Sequence, residues 1–122
     1  MKRDWEVIRA VLTEVEELSE NQRNTFGYGA PNDHFETDPA KVGNALLLYR
    51  SGFLEAIDCS SNEGSGIIAP QLTWEGHDLL DTIRSKPLWE QIKTLARDKG
   101  LELTFDAVKV LGGVALKKLS ES

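Results

Sequence analysis

The sequence has few of the residues that metal centres and disulfide frameworks require. It contains one cysteine, Cys59, and two histidines in 122 residues. A single cysteine excludes both an internal disulfide and a cysteine-based zinc cluster. Apolar runs stay well short of the roughly 18 residues that cross a bilayer, and Met1–Glu6 lacks the apolar stretch of a secretory signal. These features predict a soluble, cytoplasmic protein that has no membrane segment, no metal and no cofactor.

Basic residues are scarce relative to acidic ones. Fourteen lysines and arginines stand against twenty aspartates and glutamates, which gives a net charge of −6. Residues 1–61 hold eleven acids and six bases, whereas residues 62–122 hold nine and eight. Because DNA phosphates attract basic surfaces, the acidic first half disfavours a broad nucleic-acid interface, although a short local contact stays open.

The apolar content is sufficient for one core. Hydrophobic residues make up 40% of the chain, which argues against wholesale disorder. Apolar residues at helical spacing over Asp4–Leu18 predict an amphipathic helix, and we expect the tail Ser19–Asn24 to fray. Glycines and a proline in Thr25–Asp38 predict a loop with one short strand, at Phe26–Tyr28 or at His34–Glu36.

The middle of the chain predicts a helix, a β-hairpin and a second helix. The expected helices cover Pro39–Ser51 and Trp74–Arg84. Between them, a strand within Phe53–Cys59, beginning at Phe53 or Leu54, and a strand over Ile67–Leu72 lie on either side of a turn at Ser60–Gly66. Thr37 or Asp38 can cap the first of these helices, Gly52 can end it, and Thr73 can cap the helix that begins at Trp74. Pro70 confines the second strand to a sheet edge or a bulge.

This order of elements is the pattern of a winged-helix domain, carried by Ser51–Leu54 and Leu72–Leu80. Three segments give a closer resemblance: Met1–Asp4 before an apolar helix, Leu72–Asp78, and Ile83-Arg84 before Leu88-Trp89. They resemble an uncharacterised bacterial and prophage family, domain of unknown function family 2513. The resemblance covers nearly the whole chain. It implies a small helical domain with a winged-helix core, and it implies no activity.

Two more helices are expected towards the end of the chain. One begins at Pro87 and runs to Gly100, and the other spans Phe105–Leu119. The pair Gly112-Gly113 in the last helix predicts a kink or a close helix contact. The predicted fold class is therefore mainly α with a small β-hairpin (α+β). We expect a single domain over 1–122, with a winged-helix-like core over 1–85 and a helical extension over 86–122.

Candidate catalytic and metal-binding residues are few. Cys59 could act as a nucleophile with His34 or His77, but a lone cysteine in a strand is more often a small buried hydrophobe. His77 and Asp81 lie one helical turn apart, yet zinc needs three or four converging ligands. Nucleotide-binding and paired-carboxylate motifs are lacking. The sequence therefore predicts a protein that is not an enzyme.

The three tryptophans, Trp5, Trp74 and Trp89, are expected in the core. An exposed tryptophan would instead indicate a binding surface, because aromatic residues dominate interaction hot spots.

Two functions of different classes follow from these observations. In the first, the helix over Pro39–Ser51 enters the DNA major groove through Lys41, Asn44 and Arg50, as in a transcription regulator, with the 60–66 turn as the wing. The wing, however, carries an acid and no base. In the second, the same fold is an acidic protein-interaction module, such as an antitoxin-like or phage-encoded regulator, whose apolar helix surface around Leu47 meets the partner. Because so small a domain cannot bury every helix on both sides, a homodimer through the last helix is also predicted.

Overall fold

The computed structural model describes residues 3–29, 35–62 and 64–120. The chain divides into two compact units, Met1–His77 and Asp78–Ser122. The elements in chain order are α1 (Trp5–Glu17), α2 (Glu20–Thr25), β1 (Gly27–Gly29), α3 (Pro39–Arg50), β2 (Leu54–Asp58), β3 (Gly66–Leu72), α4 (Trp74–Arg84), α5 (Lys86–Lys99) and α6 (Phe105–Ser120). The predicted class, mainly α with a small antiparallel sheet, is confirmed.

The first helix forms as its apolar spacing predicts. The Asp4 side chain accepts hydrogen bonds from the backbone N–H groups of Glu6 and Val7, at 3.1 Å and 3.3 Å. These bonds satisfy two of the N–H groups that a helix start leaves unpaired. The residues that α1 buries share one face: Ile8, Val11, Leu12 and Val15.

The fraying expected after α1 is wrong, because a second short helix begins there. The Ser19 hydroxyl accepts from the Gln22 backbone N–H at 3.2 Å, and the Gln22 side-chain oxygen accepts from the Ser19 backbone N–H at 3.0 Å. This reciprocal capping box starts α2. The Ser-x-x-Gln spacing was present in the sequence and outweighs the polar composition of the segment.

The predicted hairpin is confirmed, and a third strand joins it. The sheet order is β1-β3-β2, with both pairs antiparallel. The strand expected at Phe26–Tyr28 is displaced by one residue to Gly27–Gly29. Of the alternative at His34–Glu36, His34 lies outside the described residues, and Glu36 forms an isolated parallel bridge with Tyr28.

Pro70 lies in a bulge of the central strand and not at an edge of the sheet. Glu55 pairs with Gln71 and Ile57 with Ile68, so Ala69 and Pro70 together lie opposite one residue of β2. Ala69 has a φ of +57°, and its N–H donates to the Phe26 carbonyl at 3.0 Å. The prediction of an edge or a bulge is therefore confirmed by the bulge, which removes the need for a ladder N–H.

Helix α3 packs against α1 and against the sheet. It ends as predicted, with Gly52 at a φ of +86°. The expected cap is different, since the Asp38 side chain makes no capping bond in the described part of the chain. Packing on two sides explains why apolar residues extend beyond one stripe of this helix. Its buried residues are Asn44, Ala45, Leu46 and Leu48.

In the second unit, α5 and α6 pack against each other. The Ser85 hydroxyl accepts from the Leu88 N–H at 3.4 Å, and Gly100 adopts a left-handed φ of +67° at the end of α5. A Cβ added at Gly112 would lie 3.0 Å from the Thr82 methyl carbon, so of the kink or close helix contact predicted for Gly112-Gly113, the close contact is found at Gly112. Within the described ranges, no helix combines the length and apolar character needed to span a bilayer.

Candidate functional site

The four residues predicted to contact DNA or a partner lie on different faces of α3. Successive residues of an α-helix rotate by about 100°, so each of positions 41, 44, 47 and 50 lies about 60° from the next, and Lys41 and Arg50 are on opposite sides of the helix. Leu47 is half-buried and Arg50 is exposed, whereas Lys41 is half-buried and Asn44 is buried. The structure therefore brings Leu47 and Arg50 together on the outer face and turns Lys41 and Asn44 inwards.

Lys41 lies between two carboxylates of the first unit. Its Nζ atom is 3.2 Å from an oxygen of Glu36 and 3.5 Å from an oxygen of Glu14. The hydrogen bond to Glu36 raises the pKa of the Lys41 ammonium. The pKa of Glu36 is lowered, mainly by the hydrogen bond from the Asp38 backbone N–H. Lys41 is thus a fully charged ion-pair partner, and the two carboxylates offset the attraction that it would offer to phosphate.

Tyr28 completes this polar cluster. Its buried hydroxyl donates to Glu14 at 2.7 Å, so the Glu14 carboxylate bridges Tyr28 and Lys41. Burial raises the pKa of the Tyr28 phenol, which stays protonated. The cluster Glu14, Tyr28, Glu36 and Lys41 links α1, β1 and α3, and its contacts are those of a structural network. Sequence spacing gave no signal for it, since its members come from four separate segments.

Asn44 is engaged inside the fold. Its side chain is 1% exposed. The side-chain oxygen accepts from the Asp4 backbone N–H at 3.1 Å, and the amide nitrogen donates to the Ala40 carbonyl at 2.8 Å. A contact from Asn44 to an adenine edge would require both bonds to break and the side chain to leave the core. Asn44 instead fixes the start of α1 against α3.

Trp74 is the most exposed large hydrophobic residue of the described chain, at 83%. Its expected place in the core is wrong, because α4 buries the opposite face through Leu79, Leu80 and Ile83. The other two tryptophans differ: Trp89 is buried at 6%, as predicted, and Trp5 is half-buried. The Trp74 ring lies beside the exposed His77, with 6.5 Å between ring centroids. The face of α4 that carries Trp74 and His77 therefore points towards solvent.

The backbone that presents Trp74 is firmly held. The Thr73 N–H donates to the Phe53 carbonyl at 3.2 Å, and the Thr73 hydroxyl donates to the Gly52 carbonyl at 2.7 Å. The same hydroxyl accepts from the Gly76 N–H at 3.0 Å, which confirms Thr73 as the cap. A Cβ on Gly76 would lie 2.0 Å from the Phe53 carbonyl oxygen. The start of α4 is thus joined closely to Gly52 and Phe53, the residues that connect α3 to β2.

The other candidate groups do not converge. Among the described residues, no three histidine, cysteine or acidic side chains are grouped as a metal site would require. Cys59 is half-buried at the end of β2, and its proposed partner His34 lies outside the described ranges. In the wing turn, hydrogen bonds from Ser60 lower the pKa of the exposed Asp58. Asp58 ends β2 just before this turn, so a negative charge lies beside the turn, and Glu63 is outside the described residues.

Comparison with known proteins places the chain in a family. A family model described as "Hypothetical protein (DUF2513)" matches residues 2–102. The chain belongs to this family. An uncharacterized protein of Haemophilus influenzae is similar, with 35% identity over 119 residues that cover 98% of each chain. No solved structure matches. The resemblance read from the Leu72–Asp78 segment is thus confirmed at the level of the family.

Proposed function

We propose that this DUF2513 protein is a cytoplasmic, non-enzymatic protein-interaction module with a winged-helix-like core. Its partner docks on the Trp74 face, which comprises Leu47 and Arg50 on α3 and Trp74 and His77 on α4. The observation that carries the proposal is the 83% exposure of Trp74. Tryptophan and arginine are the side chains most enriched among interaction hot spots.

The rigidity of the Trp74 backbone supports the proposal. Leaving a large indole in water forfeits the roughly 1.5–3 kcal/mol that its burial would supply. Three hydrogen bonds at Thr73 and the tight approach of Gly76 to Phe53 fix the backbone that carries it. A backbone that is already fixed loses little conformational entropy on binding, so a partner can use more of the free energy of burying Trp74.

DNA binding remains a second candidate function, because one observation favours it. Arg50 is exposed on the helix before the hairpin, and the order α1, β1, α3, β2, β3 resembles that of a winged helix. The chemistry of the remaining predicted contacts is less favourable. Lys41 is paired with two carboxylates, and Asn44 is buried with both amide groups bonded. A transcription regulator would need basic contacts that these residues do not supply.

Affinity capture from the host separates the two functions. We expect the wild-type chain to retain a protein partner, and Trp74→Ala to weaken that complex by about 30-fold, the loss of a hot spot worth about 2 kcal/mol. The control is Ile57→Ala, which removes another exposed apolar side chain, on β2. Equal capture by wild type and Trp74→Ala would overturn the proposal. Retention on duplex DNA at about 50 mM salt that is lost at 200 mM would support the DNA function instead.

The proposal includes pairing with a second copy through α6. This helix exposes four large apolar side chains, Val110, Val114, Leu116 and Leu119. Sedimentation velocity over a range of concentrations tests the pairing. We expect a concentration-dependent dimer, and a strictly monomeric mass at high concentration would contradict it. The pairing is independent of the Trp74 face, which lies in the other unit.

A further inference from the structure

The outer face of α6 carries an ordered pattern of charge and shape. Asp106, Val110, Gly113 and Lys117 follow one another at spacings of four, three and four residues. This spacing places them along one line on a helix, as in the seam of a coiled coil. All four are exposed, with Val110 at 65%. We name these four residues the α6 seam.

The seam lies opposite the residues that α6 buries. Its buried residues are Val108, Leu111, Gly112 and Ala115. Among the described residues, no heavy atom lies within 4 Å of a Cβ added at Gly113. All four positions of the α6 seam are therefore accessible, and a shallow groove lies at Gly113 because glycine has no side chain. Val114, 42% exposed, flanks this groove.

We infer that a second copy of the chain docks antiparallel on the α6 seam. The inference rests on the proposed pairing through α6 and specifies its orientation. In the antiparallel register, Asp106 faces Lys117 of the second copy, and the two-fold axis repeats this ion pair at the other end. Val110 then faces Gly113 of the second copy, so each valine fills the space above a glycine.

If the two copies of α6 instead paired in parallel, each residue of the α6 seam would face the same residue of the second copy. Asp106 would face Asp106, Lys117 would face Lys117, and the two Gly113 positions would leave a gap beside two opposed valines. Like charges in direct opposition are unfavourable, whereas two opposite pairs and a filled groove are favourable. Charge complementarity therefore selects the antiparallel orientation. Because the seam is short and its charges are exposed, we expect a weak dimer.

Disulfide cross-linking tests the orientation. Positions 106 and 117 are eleven residues apart, which is about 16 Å along a helix, whereas a disulfide joins Cα atoms within about 7 Å. In a Cys59→Ser background, an equal mixture of Asp106→Cys and Lys117→Cys chains is oxidised and compared with each variant alone. We expect covalent dimers in the mixture and their loss in either variant alone. The Cys59→Ser chain without further change is the control.

The outcomes separate orientation from pairing. Covalent dimers formed by Asp106→Cys alone would overturn the antiparallel inference and leave the pairing intact. Absence of covalent dimers in all samples, together with a monomeric mass, would overturn both. The charge-reversed chain supplies a second measurement: Asp106→Lys or Lys117→Asp alone should weaken dimerisation severalfold, and the two together should restore it. Failure of the double variant to recover would contradict the predicted ion pairs.

Discussion

The substitution Gly76→Ala tests the close junction between α4 and Phe53, which lies in the connection from α3 to β2. Alanine is favoured over glycine inside a helix by about 1 kcal/mol, so an unconstrained position would gain stability. At Gly76 the added Cβ would lie 2.0 Å from the Phe53 carbonyl oxygen, a backbone atom that cannot rotate away. The junction must therefore open by more than about 1 Å before it reaches an ordinary contact distance.

The magnitude follows from the bonds at this junction. Opening it stretches the bond from the Thr73 N–H to the Phe53 carbonyl, now 3.2 Å, and the bond from the Thr73 hydroxyl to the Gly52 carbonyl, now 2.7 Å. Each bond contributes about 1 kcal/mol, and overpacking of this kind costs about 1–3 kcal/mol. After subtraction of the helix-propensity gain, we expect Gly76→Ala to lower the free energy of unfolding by about 2–4 kcal/mol.

Urea unfolding at low protein concentration measures this effect. The matched control is Gly113→Ala, also in a helix interior, where no described heavy atom meets the added Cβ within 4 Å. We expect the control to raise the free energy of unfolding by up to about 1 kcal/mol. Similar values for the two variants would refute the argument, because propensity alone would then account for both.

Three further predictions concern buried and exposed side chains. In thermal unfolding, Trp89→Ala should lower the free energy of unfolding by about 3–5 kcal/mol, and Trp74→Ala by about 0.5 kcal/mol or less. Equal losses would contradict the difference in burial between the two tryptophans. Tyr28→Phe removes the 2.7 Å hydrogen bond to Glu14 and should lower the free energy of unfolding, measured in urea, by about 1–2 kcal/mol. An unchanged urea midpoint would show that this hydrogen bond does not stabilise the fold. Folding lowers the pKa of Glu36, so its stabilisation is present above its ordinary value of 4.5 and is lost as pH falls through the folded pKa. Glu36→Gln should therefore destabilise the chain at pH 7 and progressively less below about pH 4.5; an equal loss at pH 3 would refute this.

Local signals in the sequence were enough for most of the fold. Asp4 before α1, Gly52 after α3 and Gly100 after α5 mark helix ends because a cap acts on its immediate neighbours. The hairpin followed from two apolar runs around a polar turn. The missed helix α2 was also locally encoded, by Ser19 and Gln22, but the polar composition of the segment concealed it. The central position of β3 was not locally encoded, since it depends on pairing with the distant β1.

The candidate site was less predictable, because exposure is decided by tertiary contacts. Trp74 and Asn44 show this in opposite directions: the apolar residue faces solvent, and the polar residue is buried with both of its amide groups bonded. Residue type alone would place Trp74 in the core and Asn44 on the surface. Hydrophobic periodicity cannot predict the hydrogen bond of the Asn44 amide to Asp4, because the two residues are 40 positions apart in the sequence. It also cannot predict that Trp74, the first residue of α4, faces away from the core. These two residues distinguish DNA binding from protein binding. Asn44, which DNA binding would require, is buried and has a structural role. Trp74 is exposed, and its burial by a protein partner would release free energy.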